Sequence, residues 1–232
     1  MRSSDAEPLM ALPLFRDMNP VHFATLTQAA FLQRFPPHVV LVREGETPDF
    51  LHVVVDGLVE LFATHGKHEV GLAILRPLST FNLAAAMKDA VYLNSVRTLE
   101  TSQILMIPVG TARAVFSLDT AFARAVVEEL SISHRANIKE LKNQKLRPSF
   151  ERLANWILRE AAMEGDKTML TLRIDKRTLA AHVGTTPENL SRNFAMLADH
   201  GVEVKGRKIM IRNLSQLTAF ADPSPLIDDP TS

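Results

Sequence analysis

The sequence predicts an α+β chain: an N-terminal antiparallel β-roll of the jelly-roll kind, one long dimerisation helix, and a C-terminal winged helix-turn-helix. Three observations predict it. Short apolar runs separated by turn residues recur between Phe35 and Pro108, at the roughly 8–12-residue spacing of antiparallel barrels and jelly rolls. Residues 111–147 then run without Gly or Pro. Residues 175–201 read as two helices joined by a tight turn. The predicted boundaries are 1–110 for the β-roll with its N-terminal helices, 111–147 for the long helix, 148–222 for the winged domain, and 223–232 for a disordered tail rich in Pro and Asp.

In chain order, residues 9–34 read as helical, with Leu12, Leu14, Phe15, Phe23, Leu26, Ala30 and Leu32 as apolar positions and Asn19-Pro20 as a second start. Strands are expected at 38–42, 50–55, 58–62, 70–75 and 102–107. Asp56-Gly57 is a hairpin signal, and His65-Gly66-Lys67 is a further turn. The alanine-rich stretch from Phe81 to Lys88 reads as a short helix.

Along the long helix, Phe116, Phe122, Val126, Leu130, His134, Asn137, Ile138 and Leu141 recur at three- and four-residue steps. A helix of this length between two domains cannot bury such a stripe on either one, so it is expected to pair with a second copy of the chain. The dimerisation set is Val126, Leu130, His134, Asn137, Ile138 and Leu141. Arg147-Pro148-Ser149 breaks the helix and marks a hinge. Leu153, Trp156, Ile157 and Ala161 lie on the next helix, and Leu170 to Ile174 forms a strand.

Asp175 then caps a helix ending at Gly184, a residue that accepts the left-handed conformation. Thr186 caps the following helix, with Pro187 at its first position. Leu190, Phe194 and Leu197 form the buried face of that second helix, while Glu188, Ser191, Arg192 and Ala195 lie opposite. Val202-Glu203-Val204 and Ile209-Met210-Ile211 flank Lys205-Gly206-Arg207-Lys208, a short hairpin with a basic tip. This is the pattern of a helix-turn-helix whose second helix enters the major groove of double-stranded DNA.

Charge agrees. The chain has 26 Lys/Arg and 26 Asp/Glu. Residues 1–138 hold 11 basic against 14 acidic residues, and 139–214 hold 15 against 9, a local +6. The basic third carries the helix-turn-helix, as phosphate contact requires. Arg192 can donate twice to guanine, Glu188 can accept from cytosine, and Ser191 is small enough to let the helix approach. Thr186, Asn189, Lys205, Arg207 and Lys208 complete the DNA-facing set. The chain has no cysteine, which excludes disulfides, thiolate catalysis and cysteine-ligated metal clusters. No nucleophile–base–orienter set, metal-ligand spacing or phosphate loop is present, so an enzyme is not expected. Neither an apolar signal core nor a membrane-length apolar run is seen, so a cytoplasmic protein is expected.

The order of β-roll, long helix, hinge and winged helix-turn-helix resembles the cyclic-AMP receptor / fumarate–nitrate regulator (Crp/Fnr) superfamily over roughly residues 12–214. Thr185-Thr-Pro-Glu-Asn-Leu-Ser-Arg192 matches that family's Glu-x-x-Ser-Arg reading pattern. The resemblance implies a cyclic-nucleotide-binding-like jelly roll, a homodimer, RNA polymerase as a partner, and TTGAT/ATCAA half-sites, because Pro187 stands where an arginine would precede Glu188.

The sensor departs from the best-known members. Cyclic-nucleotide binders carry Gly-Glu on the cassette helix, where this chain has Phe81-Asn82-Leu83-Ala84. Arg97-Thr98 sits about four residues late for the phosphate-binding pair, and Leu93-Asn94 falls in its place. Cyclic AMP is therefore not the expected effector, and an iron–sulfur cluster lacks its cysteines. Residues 79–87 and 92–96 look like the sensor of the nitrogen-oxide respiratory regulators, some of which are thought to bind haem. The effector pocket is assigned to Phe81, Asn82, Leu83, Met87, Tyr92 and Arg97. His22, His38, His52, His65, His68, His134, Tyr92 and Met87 are all available as axial ligands, and the sequence does not choose among them. The alternative function is a cyclic-nucleotide-binding module acting on a protein partner.

Overall fold

Asn19 starts the first helix, α1 (Pro20–Ala29), by accepting a hydrogen bond from the Val21 amide, and Pro20 fills the first turn, where no amide is needed. The computed structural model describes residues 9, 10, 12–66, 68–165 and 168–229. They divide into two compact units between His134 and Arg135. No helix among the described residues is long and apolar enough to cross a membrane.

In the first unit, β1 (Phe31–Phe35), β2 (Val40–Val42), β3 (Phe50–Asp56), β4 (Val59–His65), β5 (His68–Leu75), β6 (Thr80–Phe81), β7 (Ser95–Thr98) and β8 (Ser102–Pro108) build two four-stranded sheets. Their orders are β1-β8-β3-β6 and β2-β7-β4-β5, with all pairs antiparallel. Strand alternation divides the core. Leu51 and Val53 of β3 pack with α1 and the helices after β8, whereas Val54 joins Val59, Val96 and Ile104 between the sheets.

Several expectations change here. Residues 31–35 are a strand, not the end of a helix, because they complete the edge beside β8. Leu12, Phe15 and Met18 sit in successive three-residue turns rather than an α-helix, although all three are buried. Asp56-Gly57 makes no hairpin: β3 and β4 lie in different sheets. The turn carries the chain from one sheet to the other. Glycine is needed there because its φ is +91° and a side chain would strike Ser102. Lys67 of the β4–β5 turn and residues 1–8 lie outside the described residues.

The cassette helix α2 (Leu83–Lys88) starts after Asn82, which is left-handed at φ 56°. The long helical stretch is two helices, α3 (Val109–Leu118) and α4 (Thr120–Leu146). Asp119 leaves helical geometry between them, and its carboxylate accepts from the Phe122 amide at 2.9 Å. A capping aspartate thus starts a new helix where the sequence has no Gly or Pro to announce a break.

The second unit comprises the end of α4, α5 (Ser149–Met163), β9 (Met169–Thr171), α6 (Lys176–Val183), α7 (Pro187–Ala198), β10 (Val202–Lys205), β11 (Lys208–Ile211), α8 (Leu214–Ala221) and α9 (Pro225–Asp228). The strands form one antiparallel sheet in the order β10-β11-β9. The tail expected to be disordered is instead structured as far as Asp229. Asp228 makes a two-pronged ion pair with Arg147 at 3.0 and 2.7 Å, and both side chains are nearly inaccessible. Lys139 and Lys142 donate to the Asp229 and Leu226 carbonyls. A polar composition therefore did not prevent docking, because buried charge pairing holds the segment. Residues 230–232 lie outside the described residues.

Candidate nucleic-acid interface

The reading helix is held from both ends. Asp175 accepts from the Thr178 amide at 2.7 Å to start α6, and Gly184 ends it at φ 72°. A Cβ at Gly184 would run into the Gln144 side chain at the end of α4, so glycine serves both the turn and the close approach. Thr186 then caps α7 by accepting from the Asn189 amide. Leu190, Phe194 and Leu197 are buried as expected, and Asn193 joins them, donating to the Ser149 hydroxyl at 3.0 Å.

The opposite face is presented to solvent. Thr186, Glu188, Asn189, Ser191 and Arg192 are all exposed. Among the described residues, the hydrogen bond of Arg192 is a long 3.4 Å contact with the Asn189 amide oxygen, so its fork stays open to a partner. Ser191 bonds back to the Pro187 carbonyl. The Glu188 carboxyl is held below the usual carboxylate range, first by its own backbone amide, then by the Thr186 hydroxyl and the Arg192 charge. It is thus an anion that can only accept, matched to an amino group.

The wing turns at Gly206, with Lys205 opposite Lys208. Lys205 pairs with Glu203 at 2.6 Å, and Lys208 is exposed. Arg207 has a partly structural role. Its Nε donates to the Leu172 carbonyl, and its own carbonyl accepts from the Leu172 amide, which ties the wing tip to the residue after β9.

Sequence reasoning missed Arg152. Nearly buried on α5, it donates to the carbonyls of Val183, Gly184 and Arg147 at 2.7, 2.8 and 2.6 Å. It locks the turn of the helix-turn-helix to the hinge, and burial lowers its pKa. The available signal was its position four residues before Trp156, on the buried stripe.

The six residues assigned to dimerisation divide. His134, Asn137, Ile138 and Leu141 are exposed, but Val126 is 1% exposed and sits with partly buried Leu130 in the core of its own first unit. The solvent-facing seam runs through Val127, Ser131, His134, Ile138 and Leu141 at alternating four- and three-residue steps. Val127, Ile138 and Leu141 are 56%, 46% and 54% exposed.

The six residues assigned to the effector pocket are spread over different surroundings. Phe81 and Tyr92 fill the core between the sheets, while Leu83 and Met87 belong to the cluster under the helices. Burial raises the Tyr92 hydroxyl to about 12, helped by Asp49 and Glu46. Asn82 is half-buried, and its Nδ2 has no partner. Arg97 donates to buried Glu60 at 2.7 Å, pairs with Glu69 at 3.0 Å and lies 4.4 Å over the Phe62 ring. It is already matched by two carboxylates and is poorly placed to meet a phosphate.

The histidines offered as axial ligands are variously buried, paired or exposed. His52 is the buried histidine with an unpartnered Nδ1, and burial lowers its pKa to about 4, so it is neutral. Its ring is stacked on Phe81 at 4.6 Å. A macrocycle there would have to displace Phe81 from the core. His22 is bound to Asp119, and His38, His65, His68 and His134 face solvent. Among the described residues, no three His, Asp or Glu gather as a metal site.

Two sheets forming a roll, a long helix and an exposed reading helix define a helix-turn-helix regulator with a cyclic-nucleotide-binding-like domain. Comparison with known proteins agrees. Residues 32–119 match the family model of the cyclic nucleotide-binding domain, and residues 151–220 match that of the Crp-like helix-turn-helix domain. The chain is 29% identical to the regulatory protein YeiL of Escherichia coli O157:H7 over 185 residues, covering 78% of this chain and 81% of that protein. A structure described as a Crp/Fnr-family transcriptional regulator from Eubacterium rectale superposes with a TM-score of 0.74 at 17% identity, covering 91% of this chain and 98% of the other. FixK2 from Bradyrhizobium japonicum gives 0.72 at 17%, covering 82% and 96%. The chain therefore combines a cyclic nucleotide-binding domain with a Crp-like helix-turn-helix domain, the make-up of a DNA-binding transcription regulator.

Proposed function

We propose that this regulator acts as a homodimer reading TTGAT and ATCAA half-sites. The observation that carries the reading is the exposed Glu188, Ser191 and Arg192 face of α7, backed by the buried Leu190, Phe194 and Leu197. Arg192 supplies the bidentate donor for guanine and Glu188 the acceptor for cytosine, each good pair being worth about 1–3 kcal/mol of discrimination. The seam of Val127, Ile138 and Leu141 supports self-pairing along α4, which would set two reading helices about one DNA turn apart. RNA polymerase is the partner through which a regulator of this family would act.

Control enters through the β-roll. Thr80 donates from both its amide and its hydroxyl to Glu129 of α4, so the cassette strand is tied directly to the helix expected to dimerise. The effector is not cyclic AMP in this reading, since Arg97 is committed to Glu60 and Glu69 and Phe81-Asn82-Leu83-Ala84 offers no carboxylate for the ribose.

Mobility-shift assays on a TTGAT-N4-ATCAA duplex test the proposal. Retention of that duplex over scrambled DNA is expected, with most of the preference lost in Arg192→Ala. Equal affinity for scrambled DNA would overturn it.

A further inference from the structure

The second unit contains a cleft of about 550 Å³ that the DNA-reading face does not use. Leu158, Ala162 and Met163 of α5, Leu214 of α8, and Pro223 give it an apolar wall. Its polar end is formed by Asn155, Arg159 and Asp228. The size falls in the range of about 300–1,000 Å³ usual for small-molecule sites.

The polar end carries an unmatched positive charge. Asp228 is one carboxylate shared by two guanidiniums. Arg147 takes both of its oxygens, and the Ser224 amide donates to one of them at 2.8 Å. Arg159 is left with a 3.7 Å contact to the same carboxylate, its side chain 32% exposed. Among the described residues that is its single charged partner. At the same wall, Asn155 gives its Nδ2 to the Glu151 and Ala221 carbonyls. Its Oδ1 is buried without a donor.

We propose that this cleft binds an amphipathic monoanion: a molecule with an apolar body lying along Leu158, Met163 and Leu214, and one carboxylate or sulfonate paired with Arg159. A neutral apolar molecule would leave the guanidinium unmatched. A dianion would meet Asp228 at the same end. The site lies outside the β-roll and is independent of the half-site reading. Because Asp228 also holds Arg147 at the end of α4, an occupant of this cleft sits beside the contact that anchors the C-terminal segment to the hinge.

The test uses the full chain without DNA. Fluorescence titration with 1-anilinonaphthalene-8-sulfonate, an apolar monoanion, is expected to show one saturable site per chain. Decanoate and 2-naphthoate compete, and whichever competes more strongly identifies an alkyl or an aromatic body. Decanol competes at least about tenfold more weakly, the signature of one matched charge. Ala162→Phe, at an exposed position, fills the cleft and abolishes the site. Arg159→Gln weakens binding by about tenfold or more, with an unchanged circular dichroism spectrum. Absence of saturable binding overturns the proposal, as does decanol competing as well as decanoate. Unchanged binding in Arg159→Gln overturns it by itself, should Ala162→Phe perturb the fold.

Discussion

Arg192 and Arg97 are both arginines that the sequence marks for a ligand, and the two units dispose of them in opposite ways. Arg192 stands on the open face of a helix whose other face is buried, with one long contact to Asn189. Arg97 is enclosed by Glu60, Glu69 and the Phe62 ring. The same contrast holds for their neighbours. Glu188 and Ser191 are exposed, whereas Phe81 and Tyr92 are core. A reading helix must carry its specificity on side chains that packing does not need. This β-roll has used its cassette residues to build its interior.

Truncating the interior should give the largest effect. If Phe81 is core, Phe81→Ala lowers stability by about 3–5 kcal/mol, measured by denaturant unfolding. A small change would mean that it lines an open chamber, and the contrast would fail. His52 gives the next effect, and it depends on pH. Its folded pKa of about 4 lies below its ordinary value of 6.5. Between those values the unfolded chain binds more protons, so stability falls as pH drops from 6.5 toward 4, by about 1.4 kcal/mol per unit at most. His52→Phe should flatten that part of the stability–pH curve, and an unaltered slope would place the acid sensitivity elsewhere.

The two sides of α4 sharpen the contrast within one helix. Val126→Ala should destabilise the fold by about 1–3 kcal/mol through the cavity it opens. Ile138→Asp should leave the circular dichroism spectrum of the folded chain unchanged but shift sedimentation toward monomer, with any loss of stability dependent on protein concentration. Dimers persisting in Ile138→Asp would remove α4 as the pairing surface.

The fold was largely legible because period and punctuation carry it. Asp175, Gly184, Thr186 and Pro187 fix the helix-turn-helix locally, and the structure places each cap where expected. Failures came where distant partners decide. Gly57 looks like a hairpin glycine, but the pairing of β3 with β6 and β8 makes it a corner between sheets. Val126 and Val127 both fit a helical stripe, and only the neighbouring sheet determines which one is buried. Asp119 carries no mark in the sequence; it is 4% exposed and accepts from Asn19, His22 and Phe122. Burial opposes its ionisation, yet those three donors hold its carboxyl below the usual range. Arg152 was missed because its three carbonyl partners lie on two segments, Arg147 at the hinge and Val183-Gly184 in the turn, and the second is distant in sequence.

The central claim is that Arg192 reads the guanine of the half-site. It is tested by measuring Kd for the parent and for Arg192→Ala on TTGAT-N4-ATCAA and on the same duplex with each G·C pair changed to A·T. The account predicts that the parent loses about 1–3 kcal/mol per altered pair, while Arg192→Ala loses most of that preference and keeps only what Glu188 supplies. An Arg192→Ala variant that still discriminates between them as the parent does would contradict it.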